Sequence, residues 1–270
     1  MNYIRLLTIA GSDSGGGAGI QADLKTFSAL GGYGMSVVTA LTAQNTQGVR
    51  AIHEAPSAFV AQQLDAVLED IGADAVKIGM LASAALIQVV AAGLRKYGVE
   101  RIVLDPVMVA TSGDRLLRED AIDALRTELL PLATIVTPNV AEAEVLLDRP
   151  LTSEEELRRA AEEILAMGPR AALVKAGHFQ GDRSDDGLAW REGEDVLFES
   201  IEGTRVATQN THGTGCTLSS AIAAWLGRGA SVPQAVHAAK RYLQGALERG
   251  AAYTLGHGHG PIHHFHAWWK

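Results

Sequence analysis

The chain has 270 residues, 47% of them hydrophobic and 20% charged, enough to bury the core of one large α/β domain. Its formal net charge of −8 comes without any block of lysine or arginine, which argues against a nucleic-acid partner. A single cysteine cannot form an internal disulfide, and no apolar run approaches the ~18–20 residues of a membrane span. The segment Ile4–Ala10 is too short for a signal-peptide core and carries Arg5, so the expected compartment is the cytoplasm. A negative chain repels phosphate, so any phosphate ligand must be held by local N–H groups, a few cations or a metal.

In chain order, the first predicted strand is Arg5–Ala10, followed by a glycine-rich loop and a helix starting near Ile20. Strands are predicted next at Ser36–Ala43 and Ala75–Ile78, and a helix over Ser83–Tyr97 through Leu86, Ile87, Val90 and Leu94. Further strands follow at Arg101–Leu104 and Thr134–Val136. A helix is predicted over Ser153–Met167, where Ser153 and Glu156 have the spacing of a capping box. The strand Ala171–Lys175 leads to a hairpin within Asp185–Arg205 that turns at Glu192–Glu194. Two helical runs close the pattern, Leu218–Leu226 and Val232–Arg249, the latter with Val236, Ala239 and Leu243 on one stripe. The strands are nearly continuous in Val, Ile, Leu and Ala, as buried parallel strands are. The alternation predicts an α/β fold with a mostly parallel sheet, helices on both faces, and one domain over residues 1–270.

Two glycine loops stand at strand-to-helix junctions. Residues 11–19 hold five glycines in nine positions, in a register that fits neither a dinucleotide fingerprint nor a P-loop. The loop is either a tight turn or a close backbone approach to a ligand. The second, Thr211-His212-Gly213-Thr214-Gly215-Cys216, precedes a helix whose first N–H groups converge beside the positive end of its dipole, an anion site suited to a transferring phosphoryl group. Cys216 in that first turn is either a thiol of lowered pKa or a small buried residue.

Acidic residues also sit at strand ends. Asp105 follows Ile102–Leu104, and Glu142 lies three residues after Asn139 in Thr137-Pro138-Asn139. Ligands of open parallel sheets bind beyond such strand ends, and two oxygen donors there suit Mg²⁺, although each acidic residue serves equally as a turn or helix cap. Lys175, after four apolar residues, either neutralises phosphate or snorkels to the surface. The tail from His257 to His266 holds five of the nine histidines but matches no structural zinc spacing.

The stretches Leu7–Lys25, Thr39–Thr46, Lys77–Leu81, Asp105–Met108, Thr137–Glu142, Thr211–Cys216 and Gly258–Trp269 together resemble the hydroxymethylpyrimidine (phosphate) kinases, end to end. The resemblance implies a ribokinase-like three-layer α/β/α sandwich and two successive transfers from ATP, first to 4-amino-5-hydroxymethyl-2-methylpyrimidine and then to its monophosphate. It implies that Asp23 and Gln44 contact the pyrimidine, with Gly11, Met80 and Val107 lining its pocket. Gly213, Thr214, Gly215 and Cys216 match the anion hole. Asn139, Lys175 and His212 fall to the nucleotide phosphates, and Asp105 and Glu142 to Mg²⁺. A homodimer is the family expectation. Alanine replaces a common glycine in Lys175-Ala176-Gly177, a departure that tightens the phosphate loop.

Many sugar kinases of this superfamily have an aspartate where Cys216 stands. In the second transfer the acceptor is already an ionised phosphate, and a carboxylate beside it would cost ~1–4 kcal/mol at ~4 Å. A thiol that assists the first transfer and accommodates the second is therefore expected. Pyridoxal kinase is the nearest rival, and Gln44 discriminates, because its amide can accept from the amino group while donating to a ring nitrogen. A non-catalytic sensor of the same precursor would have lost Asp105, Glu142 or the Gly213–Cys216 loop, all of which are present.

Overall fold

The structure is a computed structural model that describes residues 3–108, 120–177 and 183–269. The chain begins with β1 (Arg5–Ala10), α1 (Gly19–Ala29) and β2 (Tyr33–Val38), and continues into an antiparallel pair, β3 (Ala40–Asn45) and β4 (Gly48–Glu54). It then runs through α2 (Ser57–Asp70), β5 (Ala75–Ile78), α3 (Ala84–Lys96), β6 (Ile102–Leu104) and α4 (Asp120–Ala124). Next come β7 (Ile135–Val136), α5 (Val140–Leu147), α6 (Leu157–Ala166) and β8 (Ala171–Val174). The hairpin β9 (Asp186–Glu192) and β10 (Asp195–Ile201) and the helices α7 (Thr214–Gly227) and α8 (Val232–Gly250) complete it.

Eight strands form one sheet in the order β10-β9-β8-β7-β6-β5-β1-β2, parallel from β2 to β8 and antiparallel at the hairpin. Alternating side chains sort into two cores. Leu7, Ile9, Val76 and Leu104 pack against α2, α3, α5 and α6 on one face. Leu6, Ala75, Val103 and Leu173 pack against α1, α7 and α8 on the other. The expected α/β/α sandwich is thus present. From β1 the chain moves outward to β2 and then returns to β5 on the other side of β1. In open parallel sheets such a reversal opens a ligand crevice beyond the strands' carboxyl ends.

Two local expectations are corrected. The run Ser36–Ala43 is two strands in different sheets. Buried Thr39 is the pivot: its N–H donates to Ala10, its carbonyl accepts from Ala55, and its hydroxyl donates to the Met80 carbonyl at 2.8 Å. Ser153 forms no capping box. The Glu156 carboxylate instead accepts from the Thr152 N–H at 2.7 Å and hydroxyl at 3.0 Å, and a tight 3₁₀ turn at Glu154–Glu156 leads into α6. Among the described residues, no helix is long and apolar enough to cross a membrane.

Candidate active site

A cavity of about 660 Å³ lies at the carboxyl ends of the parallel strands, with Gly11 after β1, Met80 after β5, Asp105 after β6, Asn139 after β7 and Lys175 after β8 in its wall. The N-terminus of α7 enters between them. Gly213 caps that helix with φ +85°, and a Cβ there would collide with the Gly17 carbonyl, so only glycine fits. The first i→i−4 bond of α7 runs from Thr217 N to Gly213 O, which leaves the Gly215 and Cys216 amides unused by the helix. A Cβ on Gly215 would lie 3.4 Å from Lys175 Nζ and 3.7 Å from Asp105 Oδ2, so glycine keeps the anion site open beside a cation. Thr214 lines the same cavity.

The two glycine loops are clasped together by a residue that the sequence did not single out. The buried Asp13 carboxylate accepts from the N–H groups of Gly15, Gly17 and Ala18 at 2.8–2.9 Å, and lies 2.8 Å from His212 Nε2. Burial opposes ionisation, but His212 and the backbone donors outweigh it and hold the Asp13 pKa below the usual range. His212, expected at the nucleotide phosphates, has one ring nitrogen committed to this clasp, although it still lines the cavity.

Asp105 is buried, with Oδ1 3.1 Å from Lys175 Nζ and 3.2 Å from Thr137 Oγ1, and Oδ2 3.2 Å from Ser219 Oγ. Burial opposes its charge, yet Lys175 and Lys77 depress its pKa. Lys175 is half-buried, its side chain 15% exposed and paired with this partner rather than snorkelling, and Asp105 and Glu142 raise its pKa against the opposing effect of burial. Asn139 and Glu142 form a reciprocal capping box at 2.9 Å in each direction, so the Asn-x-x-Glu spacing has a structural role at the start of α5. Burial, reinforced by Asp105, pushes the Glu142 carboxyl up to about 7.

Of the two readings of Cys216 that the sequence leaves open, the lowered thiol is not the one favoured. Its thiol is not lowered by the helix start. Burial, with Asp23 and Asp105 adding to it, pushes it up to about 11, while Lys77 opposes.

Asp23 is placed differently from the other expected pyrimidine contacts. It is 0% exposed, and both its oxygens lie 2.9 Å from Lys77 Nζ, itself 0% exposed on the central strand β5. Thr8 Oγ1 donates to Asp23 at 2.6 Å and Ser220 Oγ at 2.7 Å. Ser220 lies one turn beyond Cys216 on α7, so this pair underlies the anion-site helix. Burial opposes the Lys77 charge, but Asp23, then Cys216 and Asp105, raise its pKa and keep it cationic. A lysine inside an otherwise apolar strand was the sequence signal for it.

The remaining expected residues divide between the two ends of the cavity. At one end, Met80 packs with Ala40 and Val107, and a Cβ on Gly11 would lie 3.2 Å from Met80 Sδ. Gln44 lines this end, with its amide oxygen 3.1 Å from Thr42 Oγ1. The other end passes between the β9–β10 hairpin and α8. There Val206, Leu243, Gln244 and Leu247 line the wall and Lys240 Nζ donates to Asp186 at 2.7 Å. The sequence named Leu243 only as part of the α8 core stripe and Gln244 and Leu247 not at all, although Leu243 and Leu247 have the i,i+4 spacing of a single helix face. His178, at the end of the Lys175 loop, lies outside the described residues. The histidine-rich tail packs along α7 and α8. His264 Nε2 lies 3.1 Å from Thr217 Oγ1, and His263 stands edge-on to Tyr253 and Trp269.

The sandwich, the strand-end cavity and a helix N-terminus facing a lysine define a small-molecule phosphotransferase of ribokinase-like type. The sequence model of phosphomethylpyrimidine kinase matches residues 13–263. The hydroxymethylpyrimidine/phosphomethylpyrimidine kinase of Rhizobium meliloti is 53% identical over 265 residues, covering 98% of each chain. That of Escherichia coli is 50% identical over 270 residues, covering 100% of each. Among solved structures, an ADP complex of Bacillus subtilis pyridoxal kinase is 34% identical, with a TM-score of 0.89 and 100% of both chains covered. The chain belongs to the phosphomethylpyrimidine kinase family.

Proposed function

We propose that this chain, working as one domain, transfers a phosphoryl group from ATP to 4-amino-5-hydroxymethyl-2-methylpyrimidine, and then a second to the monophosphate, as a step of thiamine biosynthesis. The observation that carries the reading is the position of the α7 N-terminus. Gly213 abuts the glycine loop on the Gln44 side, and Gly215 faces Lys175 and Asp105 on the other. A group transferred between the two ends of the cavity passes the free amides of Gly215 and Cys216, aimed where equatorial phosphoryl charge develops.

In this mechanism Gly11, Met80 and Val107 enclose the ring and Gln44 reads its polar edge. Lys175 neutralises phosphate charge, while Asn139 and His212 shape the phosphate end. Leu243 and Leu247 on α8 flank the nucleotide base, together with Val206 from the segment after the hairpin. Cys216 Sγ takes the hydroxymethyl proton in the first transfer through its minor thiolate form. In the second it stays neutral beside an acceptor that needs no base.

Among the described residues, no three His, Cys, Asp or Glu side chains are grouped to hold a metal. The donor set nonetheless fits Mg²⁺ that arrives on nucleotide phosphates and keeps its waters, since such ions use one or two carboxylates. Glu142 has one carboxylate oxygen outside its capping bond and is the direct candidate. Asp105, engaged by Lys175, Thr137 and Ser219, would act through water. When bound, the ion would neutralise phosphate charge. A homodimer, the family expectation, belongs to this reading, and the single cysteine fits a cytoplasmic enzyme.

The test is product identification by ³¹P NMR and mass spectrometry after incubating the aminopyrimidine with Mg-ATP. Sequential appearance of the monophosphate and diphosphate supports the reading, and unchanged substrate would refute it.

A further inference from the structure

Gln44 is held by the glycine loop at its backbone and by Thr42 at its side chain. Ser14 Oγ accepts from Gln44 N and donates to the Gln44 carbonyl, both at 2.8 Å. Ser12 Oγ accepts from Thr42 N at 3.2 Å. The β3–β4 register shifts between Ala43 and Gln44, a bulge of the kind that re-aims a side chain.

The Thr42 hydroxyl has one proton and two oxygens within reach, the Ser12 carbonyl at 2.9 Å and the Gln44 amide oxygen at 3.1 Å. It cannot donate fully to both. A half-turn of the Gln44 amide exchanges its oxygen and nitrogen without changing its shape. The Thr42 proton then goes to Ser12, and the amide N–H donates to the otherwise unused lone pairs of Thr42 Oγ1. All three groups are satisfied. In that orientation Gln44 presents one N–H and its carbonyl oxygen side by side to the cavity. An aminopyrimidine offers the complement, a ring nitrogen beside an amino donor. With its oxygen turned to Thr42, the amide would present the same two groups in exchanged positions, its N–H where the amino group needs the acceptor.

We propose that Thr42, anchored on Ser12, is a positioning residue that sets specificity, because its hydroxyl fixes the amide orientation with which Gln44 reads the amino group. This rests on the reading that Gln44 faces the pyrimidine. The experiment compares kcat/KM for 4-amino-5-hydroxymethyl-2-methylpyrimidine with that for the analogue lacking the 4-amino group, in wild type, Thr42→Ser and Thr42→Val. The wild type should prefer the amino ring by ~10–100-fold, the range of one well-made hydrogen bond in a buried site. Thr42→Ser should keep that preference. Thr42→Val should lose about tenfold of it through the parent substrate alone, with the analogue unchanged.

An unchanged preference in Thr42→Val, an equal loss in Thr42→Ser, or a parallel fall with both substrates would overturn the proposal. If Thr42→Val does not fold, the wild-type ratio decides, and near-equal rates would refute it. A wild type that turns over neither pyrimidine refutes the functional reading instead and takes this proposal with it.

Discussion

Replacing Asp23 with Asn removes one charge and little else. The two hydroxyls, at 2.6 and 2.7 Å, bond different carboxylate oxygens, so the amide oxygen accepts from one of Thr8 and Ser220 and the NH2 donates to the other once its hydroxyl rotates. Lys77 is left cationic, 0% exposed and without its counter-ion, since the only other acidic groups raising its pKa are the Cys216 thiol and Asp105. Breaking a buried pair from one side costs ~3–5 kcal/mol. At ~2–4 °C per kcal/mol for a chain near this size, Tm should fall by roughly 6–20 °C. The double variant Asp23→Leu with Lys77→Met removes both charges and should recover more than half of that loss, because an apolar replacement of the whole pair is close to neutral. Thermal unfolding followed by circular dichroism reads all three proteins. Because Ser220 ties the pair to α7, kcat should also fall in Asp23→Asn. An unchanged Tm with only a raised KM for the pyrimidine would refute the reasoning and make Asp23 a direct ligand.

Gly213→Ala should lower kcat about a hundredfold with little change in KM for the pyrimidine, since it displaces amides aimed at the transferring group. Gly229→Ala, at a similar φ of +87° but with open space around it, is the control and should cost only the ~1 kcal/mol of backbone strain. With its thiol near 11, Cys216 should react with iodoacetamide about a hundredfold more slowly at pH 7.5 than a thiol at the ordinary value of 9.0, and the single cysteine makes the rate unambiguous. Cys216→Ala should slow the first transfer and spare the second in single-turnover assays, and equal losses would contradict that division. Burial holds the His264 imidazole down to about 3, with Lys25, His263 and His266 adding to it. A base depressed on folding stabilises the fold above its unfolded pKa of ~6.5, and that stability is lost as pH falls toward 3. Urea unfolding at pH 7 and pH 4 should show a loss of about 3 kcal/mol from this group, absent in His264→Gln.

The sheet was legible because its strands are short, apolar and covered on both faces, and Arg5–Ala10 and Ala75–Ile78 begin and end where the sequence put them. The pivot at Thr39 was not, because Ser36–Ala43 reads as one run of apolar residues with small hydroxyls and no breaker, and only distant partners, Ala10, Ala55 and Met80, divide it. Helix α2 was overlooked for a related reason. Its buried residues Val60, Leu64 and Leu68 form a stripe just one residue wide. In the site, glycines at strand-to-helix junctions pointed to Gly213 and Gly215 because such positions have few alternatives. The partners of Asp13 and Asp23 lie far along the chain, at His212 and Ser220, and no spacing rule reaches that distance. The Asn139/Glu142 spacing carried two meanings at once, and the capping box is the one visible in the geometry.

The most direct test of the central claim is ADP release with Mg-ATP, measured side by side for the hydroxymethylpyrimidine, its monophosphate and pyridoxal. The account predicts turnover of both pyrimidines, with pyridoxal at most a slow side reaction. Turnover of pyridoxal alone would contradict it.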